Sequence, residues 1–323
     1  MKAIVQTVYG SPDVLQLAEV SLPRVPDNGV LVKVHATSVN AGDWYLMRGS
    51  PFFVRLMFGG LRKPKIPTLG MDVAGTVAAV GRSVTQFKPG DAVFGDTSEA
   101  GFGGFAEYVC APESTFVHKP NQISFAAAGT VPVAAVTALQ GLRDCGHIQP
   151  GQTVLINGAS SGVGTFAVQL AKAFGAEVHA LCSTEKMPIV RQLGADQVID
   201  YRQTDITQTS VQYDLIFDAA AYRSVFHYFS ILKPQGTYVL VGGSIGRLLR
   251  LMLFGGLISR LRPQTIKVLS VKPNQADLLV LCDLLAAGKI KPAIDRTYSL
   301  SEVPIAIREL EQRQVTGKIA IVI

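Results

Sequence analysis

One stretch constrains the chain more than any other: Thr153–Gly175, TVLINGASSGVGTFAVQLAKAFG. Val154, Leu155 and Ile156 form a short apolar run of the kind that makes a buried strand. A turn of small residues follows, Gly158-Ala159-Ser160-Ser161-Gly162-Val163-Gly164. Beyond it, Val163, Phe166, Ala167, Leu170 and Ala171 recur at helical spacing. Strand, glycine turn and helix together place a dinucleotide pyrophosphate on a helix N-terminus. There free N–H groups and the positive dipole end face the phosphate charge. The turn departs from G-x-G-x-x-G: Ala159 and Ser161 replace the first two glycines, and Gly164 alone is kept. A plain tight strand-to-helix turn is the competing reading, and the next hundred residues argue against it. Their pattern predicts strand Glu177–Cys182, helix Glu185–Leu193, strands Gln197–Asp200 and Tyr213–Asp218, helix Ser224–Leu232 and strand Thr237–Val241. That alternation is the signature of a doubly wound parallel sheet in an α/β domain.

The chain before this domain reads differently. Strands are expected at Lys2–Val8, Leu15–Val20, Val30–Thr37, Asp72–Val80, Ala92–Gly95 and Phe105–Cys110. Turn signals such as Asp27-Asn28-Gly29 and Lys88-Pro89-Gly90-Asp91 separate them, which suggests a mainly β, partly open barrel. From about residue 122 helices are expected, at Ser124–Thr130 and Pro132–Arg143. After Pro273-Asn274 come a helix (Gln275–Ala287), a strand (Ala293–Tyr298), a helix (Ser301–Gln312) and a last strand (Lys318–Ile323). The tail is therefore expected to rejoin the first domain. Residues 1–121 and 272–323 make one domain, and the α/β domain, 122–271, is inserted in it.

Composition narrows the function. Hydrophobic residues make up 48% of the 323, as in a globular protein. The net charge of +6 favours acidic ligands such as a phosphorylated cofactor. No Lys/Arg block or binding motif points to nucleic acid. The four cysteines show no C-x-x-C spacing, so neither a zinc knuckle nor a disulfide framework is expected, and a reducing cytoplasm is the simplest setting. MKAIVQTVYG reads as strand, not as a signal peptide. The longest uncharged run, Ala126–Leu142, is too short and too broken for an integral membrane segment.

Several ordered segments carry a family resemblance. They are Val39-Asn40-Ala41-Gly42-Asp43, Leu69-Gly70-Met71-Asp72-Val73-Ala74-Gly75, Phe87-Lys88-Pro89-Gly90-Asp91-Ala92-Val93, Gly103-Gly104-Phe105-Ala106-Glu107-Tyr108, Leu193-Gly194-Ala195-Asp196 and Gly317-Lys318-Ile319. Over nearly its whole length the chain resembles the medium-chain dehydrogenase/reductase superfamily. Within it, the chain is most similar to the zinc-independent quinone oxidoreductase group, including the reticulon-interacting-protein-like reductases. The resemblance implies a Rossmann domain inserted in a GroES-like catalytic domain, a nicotinamide cofactor and a homodimer.

Zinc-dependent members carry a Cys where this chain has Asn40 and a His where it has Met71. Neither replacement is a zinc ligand, and Asp72 alone is not enough, so no metal is expected. The five histidines show no ligand spacing. An NAD site would carry an acid about 20 residues past the glycines. Here the second strand ends Leu181-Cys182-Ser183-Thr184, with Glu185 nearby. Ser183, Thr184 and Lys186 offer hydroxyls and a cation that suit a 2′-phosphate, so NADP(H) is the expected cofactor. The resemblance implies that Lys186 and Tyr201 hold that phosphate; a solvated helix lysine and a packing tyrosine are the alternatives. Ala159, Ser160, Ser161, Gly162, Val163 and Gly164 would cradle the pyrophosphate. The resemblance further brings Thr137, Gly242, Gly243 and Lys318 towards the cofactor, while Lys318 also reads as a charge opening an edge strand. Asp43 would fix its loop or the cofactor ribose.

With neither metal nor covalent nucleophile, the protein must position a hydride acceptor and stabilise the charge that develops on it. Asn40 has an amide donor for a carbonyl oxygen. Tyr45 could add a phenolic O–H, or simply pack beside Trp44. Two segments, 51–65 and 246–262, mix bulky apolar residues with arginines around a Gly-Gly. They read as an apolar mouth, with a dimer face or a membrane-surface contact as competing readings. The expected function is NADPH-dependent, zinc-independent hydride transfer to a small hydrophobic quinone or α,β-unsaturated carbonyl. A carbonyl/alcohol redox enzyme of the same fold, or an NADPH-binding protein with little turnover, are the alternatives.

Overall fold

The computed structural model describes residues 1–58, 60–243, 246, 251 and 262–323. In chain order the strands are β1 (Lys2–Val5), β2 (Gln16–Glu19), β3 (Gly29–Ser38), β4 (Asp72–Val80), β5 (Ala92–Asp96), β6 (Tyr108–Pro112), β7 (Phe116–His118), β8 (Thr153–Asn157), β9 (Glu177–Cys182), β10 (Gln197–Asp200), β11 (Tyr213–Asp218), β12 (Leu232–Leu240), β13 (Thr265–Val268), β14 (Ile294–Ser299) and β15 (Lys318–Val322). The helices are α1 (Ala41–Arg48), α2 (Phe52–Met57), α3 (Phe125–Ala128), α4 (Pro132–Gln140), α5 (Gly162–Ala173), α6 (Met187–Gln192), α7 (Gln275–Ala286) and α8 (Val303–Glu311).

The chain folds as two units. The first holds Met1–Ala134, Pro273–Ala287 and Ile294–Ile323; the second holds Ala135–Lys272 and Gly288–Ala293. The first is built on β3, which is long enough to serve several partners. One edge pairs with β4, antiparallel from Val30 to Ala36. The other is shared: β6 takes Gly29–Lys33 and β15 takes Ala36–Ser38. The whole sheet runs β14-β15-β3-β4-β5-β7, with β6 as the extra partner of β3. Its core is aliphatic and aromatic, with Val30, Val32, Val34, Val73, Val93 and Phe116 fully or nearly fully buried. A second cluster, including Met47, Leu69, Phe105, Val303 and Ile319, packs α1 and α8 against the strands.

The second unit is a six-stranded, wholly parallel sheet in the order β10-β9-β8-β11-β12-β13. Counted from β8 that order is 3-2-1-4-5-6, in which the chain reverses direction across the sheet between β8 and β11. Ligands of such sheets lie beyond the carboxyl ends of the strands at that point. Asn157, which ends β8, donates to Asp218 at the end of β11 (2.7 Å). Asp218 in turn accepts the Ala221 N–H (2.7 Å) and the Tyr238 hydroxyl (2.6 Å), which ties the strand ends together. Between β11 and β12 stands a single 3₁₀ turn, Val225–Tyr228, in place of the expected helix. Of the segment 246–262, all but Gly246, Leu251 and Arg262 lies outside the described residues. No helix among the described residues is long and apolar enough to cross a membrane.

Candidate active site and cofactor-binding turn

In the first unit a cluster of polar side chains is buried where β3, β4 and β15 meet the start of α1. Asn40 is the N-cap of α1, and the Asp43 carboxylate accepts the Asn40 N–H (2.9 Å), the N3-to-N-cap half of a capping box. The other Asp43 oxygen accepts Gly70 N–H (2.9 Å). Burial pushes the Asp43 carboxyl up to about 7, against the pull of those two N–H groups. With Asp43 fully buried and both oxygens on backbone, its contacts support the loop-fixing role rather than a ribose contact.

Asp72 opens β4 with no exposed surface. It accepts from Asn40 Nδ2 (2.9 Å), from Val133 N–H (2.8 Å) and from the Ser38 hydroxyl. Lys318 opens β15, which is an interior strand, and its Nζ is buried. Nζ lies 2.5 Å from Asn40 Oδ1, 3.3 Å from Val39 O and 3.4 Å from Asp72 Oδ2. The Lys318 ammonium therefore grips the amide carbonyl of Asn40. The Asn40 amide is turned inward, its nitrogen on Asp72 and its oxygen on Lys318. Tyr45 sits on α1 with its ring stacked on Trp44 (centroids 4.5 Å). Its hydroxyl makes no hydrogen bond to a described residue, and burial raises its pKa, so it is a neutral donor. Sequence reasoning missed Asp72 as a site residue. The signal was there: an acid opening an otherwise apolar strand.

In the second unit the register collects the expected cofactor residues at one end of the sheet. Asn157 pairs with Leu181, Asp200 with Cys182, and Asp218 with Leu240. The turn after β8, Ser183–Lys186 after β9, Tyr201 after β10 and Gly242-Gly243 after β12 therefore all leave the carboxyl ends. Thr137 lies on α4 and is nearly buried. Gly158 takes φ +80, which starts the turn. Ser161 caps α5, its Oγ accepting from Gly164 N–H (3.0 Å), which leaves its O–H free to donate. A Cβ on Gly164 would stand 2.1 Å from Gly158 O and 2.8 Å from Ala159 Cα. Only glycine lets the helix come this close to the turn. The N–H groups of Gly162 and Val163 make no hydrogen bond to a described residue. Two donors at a capped helix start, under a turn with no side-chain bulk at Gly164, fit a pyrophosphate.

At the second strand end, Thr184 donates its hydroxyl hydrogen to Asp200. Glu185, the acid next in sequence, is paired with Arg202 (3.0 Å), which offsets its charge. Tyr201 is exposed, with the Arg202 guanidinium 5.8 Å from its ring centre. Arg202 is a cation that sequence reasoning did not single out, although it directly follows Tyr201. Among the described residues no three His, Cys, Asp or Glu side chains gather as a metal site.

Comparison with known proteins fits this geometry. The family model "Alcohol dehydrogenase GroES-like domain" matches residues 26–121, and "Zinc-binding dehydrogenase" matches residues 193–321. The 2-methylene-furan-3-one reductase of Solanum lycopersicum is 33% identical over 99% of this chain and 79% of its own length. The chloroplastic NADPH-dependent alkenal/one oxidoreductase of Arabidopsis thaliana is likewise 33% identical, over 99% and 79%. The solved quinone oxidoreductase of Coxiella burnetii superposes with a TM-score of 0.89 at 30% identity, covering 100% of this chain and 99% of that one. By sequence and by fold, the chain belongs to the medium-chain dehydrogenase/reductase superfamily, in its quinone oxidoreductase group.

Proposed function

We propose that this chain is an NADP(H)-dependent, zinc-independent oxidoreductase that passes a hydride to a quinone or an α,β-unsaturated carbonyl. The observation that carries the reading is the Lys318–Asn40–Asp72 cluster. Where zinc-dependent relatives place ligands, this chain has an amide and a thioether, Asn40 and Met71. A buried ammonium stands within 2.5 Å of that amide and 3.4 Å of Asp72. An ammonium repels a second cation and takes up the acceptor oxygens a metal would need. A site of this kind offers hydrogen bonds in place of a Lewis acid. It suits acceptors that spread the incoming charge over a conjugated system, as quinones and enones do, better than simple ketones.

The first unit supplies the acceptor's donors. Tyr45 holds a neutral phenolic O–H able to meet the developing oxyanion. Asn40 is held in one orientation by Lys318 and Asp72. The second unit holds the cofactor, whose nicotinamide supplies the hydride when bound. Ala159–Gly164 would take the pyrophosphate, and Ser183, Lys186 and Tyr201, with Arg202 added, the 2′-phosphate. Thr137, Gly242 and Gly243 would line the nicotinamide end. The names of the relatives support both the NADPH preference and the acceptor class. Four free thiols support a reducing compartment such as the cytoplasm, and a homodimer is kept as the expected assembly.

The test is product analysis. With NADPH and an alkenone, NMR of the product should show the saturated ketone. An allylic alcohol would replace this reading with carbonyl reduction.

A further inference from the structure

α2 presents its surface the wrong way round for a helix in water. Val54 is buried in the core and Phe53 packs against it. The outward side carries Phe52 (65% exposed), Leu56 (66%) and Met57 (69%), and Leu61 (54%) follows. A surface helix normally turns charged residues outward. The element is braced rather than loose. Arg55 donates to Gly49 O (2.8 Å) and covers the Tyr9 ring (4.6 Å), while the Tyr9 hydroxyl holds Gly60 O (2.7 Å). Phe58 meets the buried Phe102 edge-on.

Charge around this patch has one sign. From Trp44 to Met71 the sequence has no Asp or Glu, but it has Arg48, Arg55, Arg62, Lys63 and Lys65. Arg48 is paired with Glu311 and Arg55 is committed as above. Arg62, Lys63 and Lys65 are exposed, and none pairs with a described acid. Bulky apolar side chains beside unpaired cations match an anionic lipid surface: headgroups meet the cations, and the acyl boundary takes the apolar groups. A second copy docked patch to patch would press three cations against three, and the chain already carries +6.

We propose that α2 and the Leu61–Lys65 turn form a peripheral membrane-binding surface selective for anionic lipid. The test is co-sedimentation of the full chain with vesicles of phosphatidylcholine alone, and with one quarter phosphatidylglycerol. Binding to the anionic vesicles only, weakened by ~0.5 M salt, is expected. Arg62→Gln/Lys63→Gln/Lys65→Gln should lower that affinity on the order of 100-fold, about 5-fold per cation. Phe52→Ser/Leu56→Ser/Met57→Ser should also release the protein. Unfolding temperatures report that both variants are folded. Equal binding to both vesicles, or no binding to either, overturns the proposal. So does concentration-dependent dimerisation abolished by the serine variant without vesicle binding, which would assign the patch to a second copy.

Discussion

Gly164→Ala tests the cofactor turn with a single methyl group. The added Cβ would lie 2.1 Å from Gly158 O, whereas ordinary contact starts at 3.4 Å. The neighbours at 2.1, 2.8 and 2.9 Å are all backbone, so no side chain can swing aside. The first turn of α5 must move outward by about 1 Å. Overpacking of this kind costs about 3 kcal/mol at its upper end, and alanine returns about 1 kcal/mol in helix propensity. A net loss of about 2 kcal/mol lowers the melting temperature by roughly 3 °C in a chain of this size. The same movement withdraws the Gly162 and Val163 N–H groups from an anion. Losing one charge-assisted hydrogen bond, about 1.5–3 kcal/mol, weakens NADPH binding roughly 10- to 100-fold. Calorimetric melting and NADPH fluorescence titration measure the two effects. A variant that melts as the wild type does and binds NADPH as tightly would show that the turn has room for a Cβ and does not hold the pyrophosphate.

Three further perturbations bear on the buried cluster and the cofactor choice. Asp43 is held up at about 7 by burial, against 3.8 when exposed, so between those values the folded state binds more protons than the unfolded. Stability should therefore fall as pH rises from about 4 to about 7, and Asp43→Asn should make that fall shallower by at most ~1.4 kcal/mol per pH unit in urea titrations. An unchanged slope would contradict the assignment; Asp96, pushed up to about 6 by burial, adds a fall of the same sign in both proteins. Lys318→Met leaves the wholly buried Asp72 carboxylate without its cation and should cost about 3–5 kcal/mol. Adding Asp72→Asn should recover at least ~1 kcal/mol, and strict additivity of the two changes would show that they do not interact. Lys186→Ala should raise the Kd for NADPH about 10-fold and leave that for NADH unchanged; equal effects on both would remove Lys186 from the 2′-phosphate.

Much of the fold was legible because its strands are apolar runs with sharp ends. Asp72–Val80, Glu177–Cys182, Gln197–Asp200 and Tyr213–Asp218 have the expected bounds. Ser224–Leu232 misled, since Val225, Tyr228, Phe229 and Leu232 have helical spacing yet bury their side chains from a 3₁₀ turn, the residue that caps it and the first residue of β12. α1 was hidden by Gly42, Trp44 and Tyr45, all weaker helix formers than alanine, although Asn40 and Asp43 had the capping-box spacing. The glycine turn could be read because its parts are adjacent in sequence. The role of Lys318 could not, because its partners Asn40 and Asp72 lie 278 and 246 positions away. Only the pairing of β15 with β3, and of β3 with β4, brings them together. Arg202 was overlooked for a different reason: its pairing with Glu185 depends on the register of β9 and β10.

The most direct measurement is NADPH oxidation, followed at about 340 nm, by chelator-treated protein offered a naphthoquinone, a 2-alkenal and a simple ketone in separate reactions. Chelator-insensitive turnover of the first two is expected, with NADPH preferred to NADH and little turnover of the ketone. Activity lost on chelation and restored by zinc, or turnover of the simple ketone alone with NADH, would contradict that expectation.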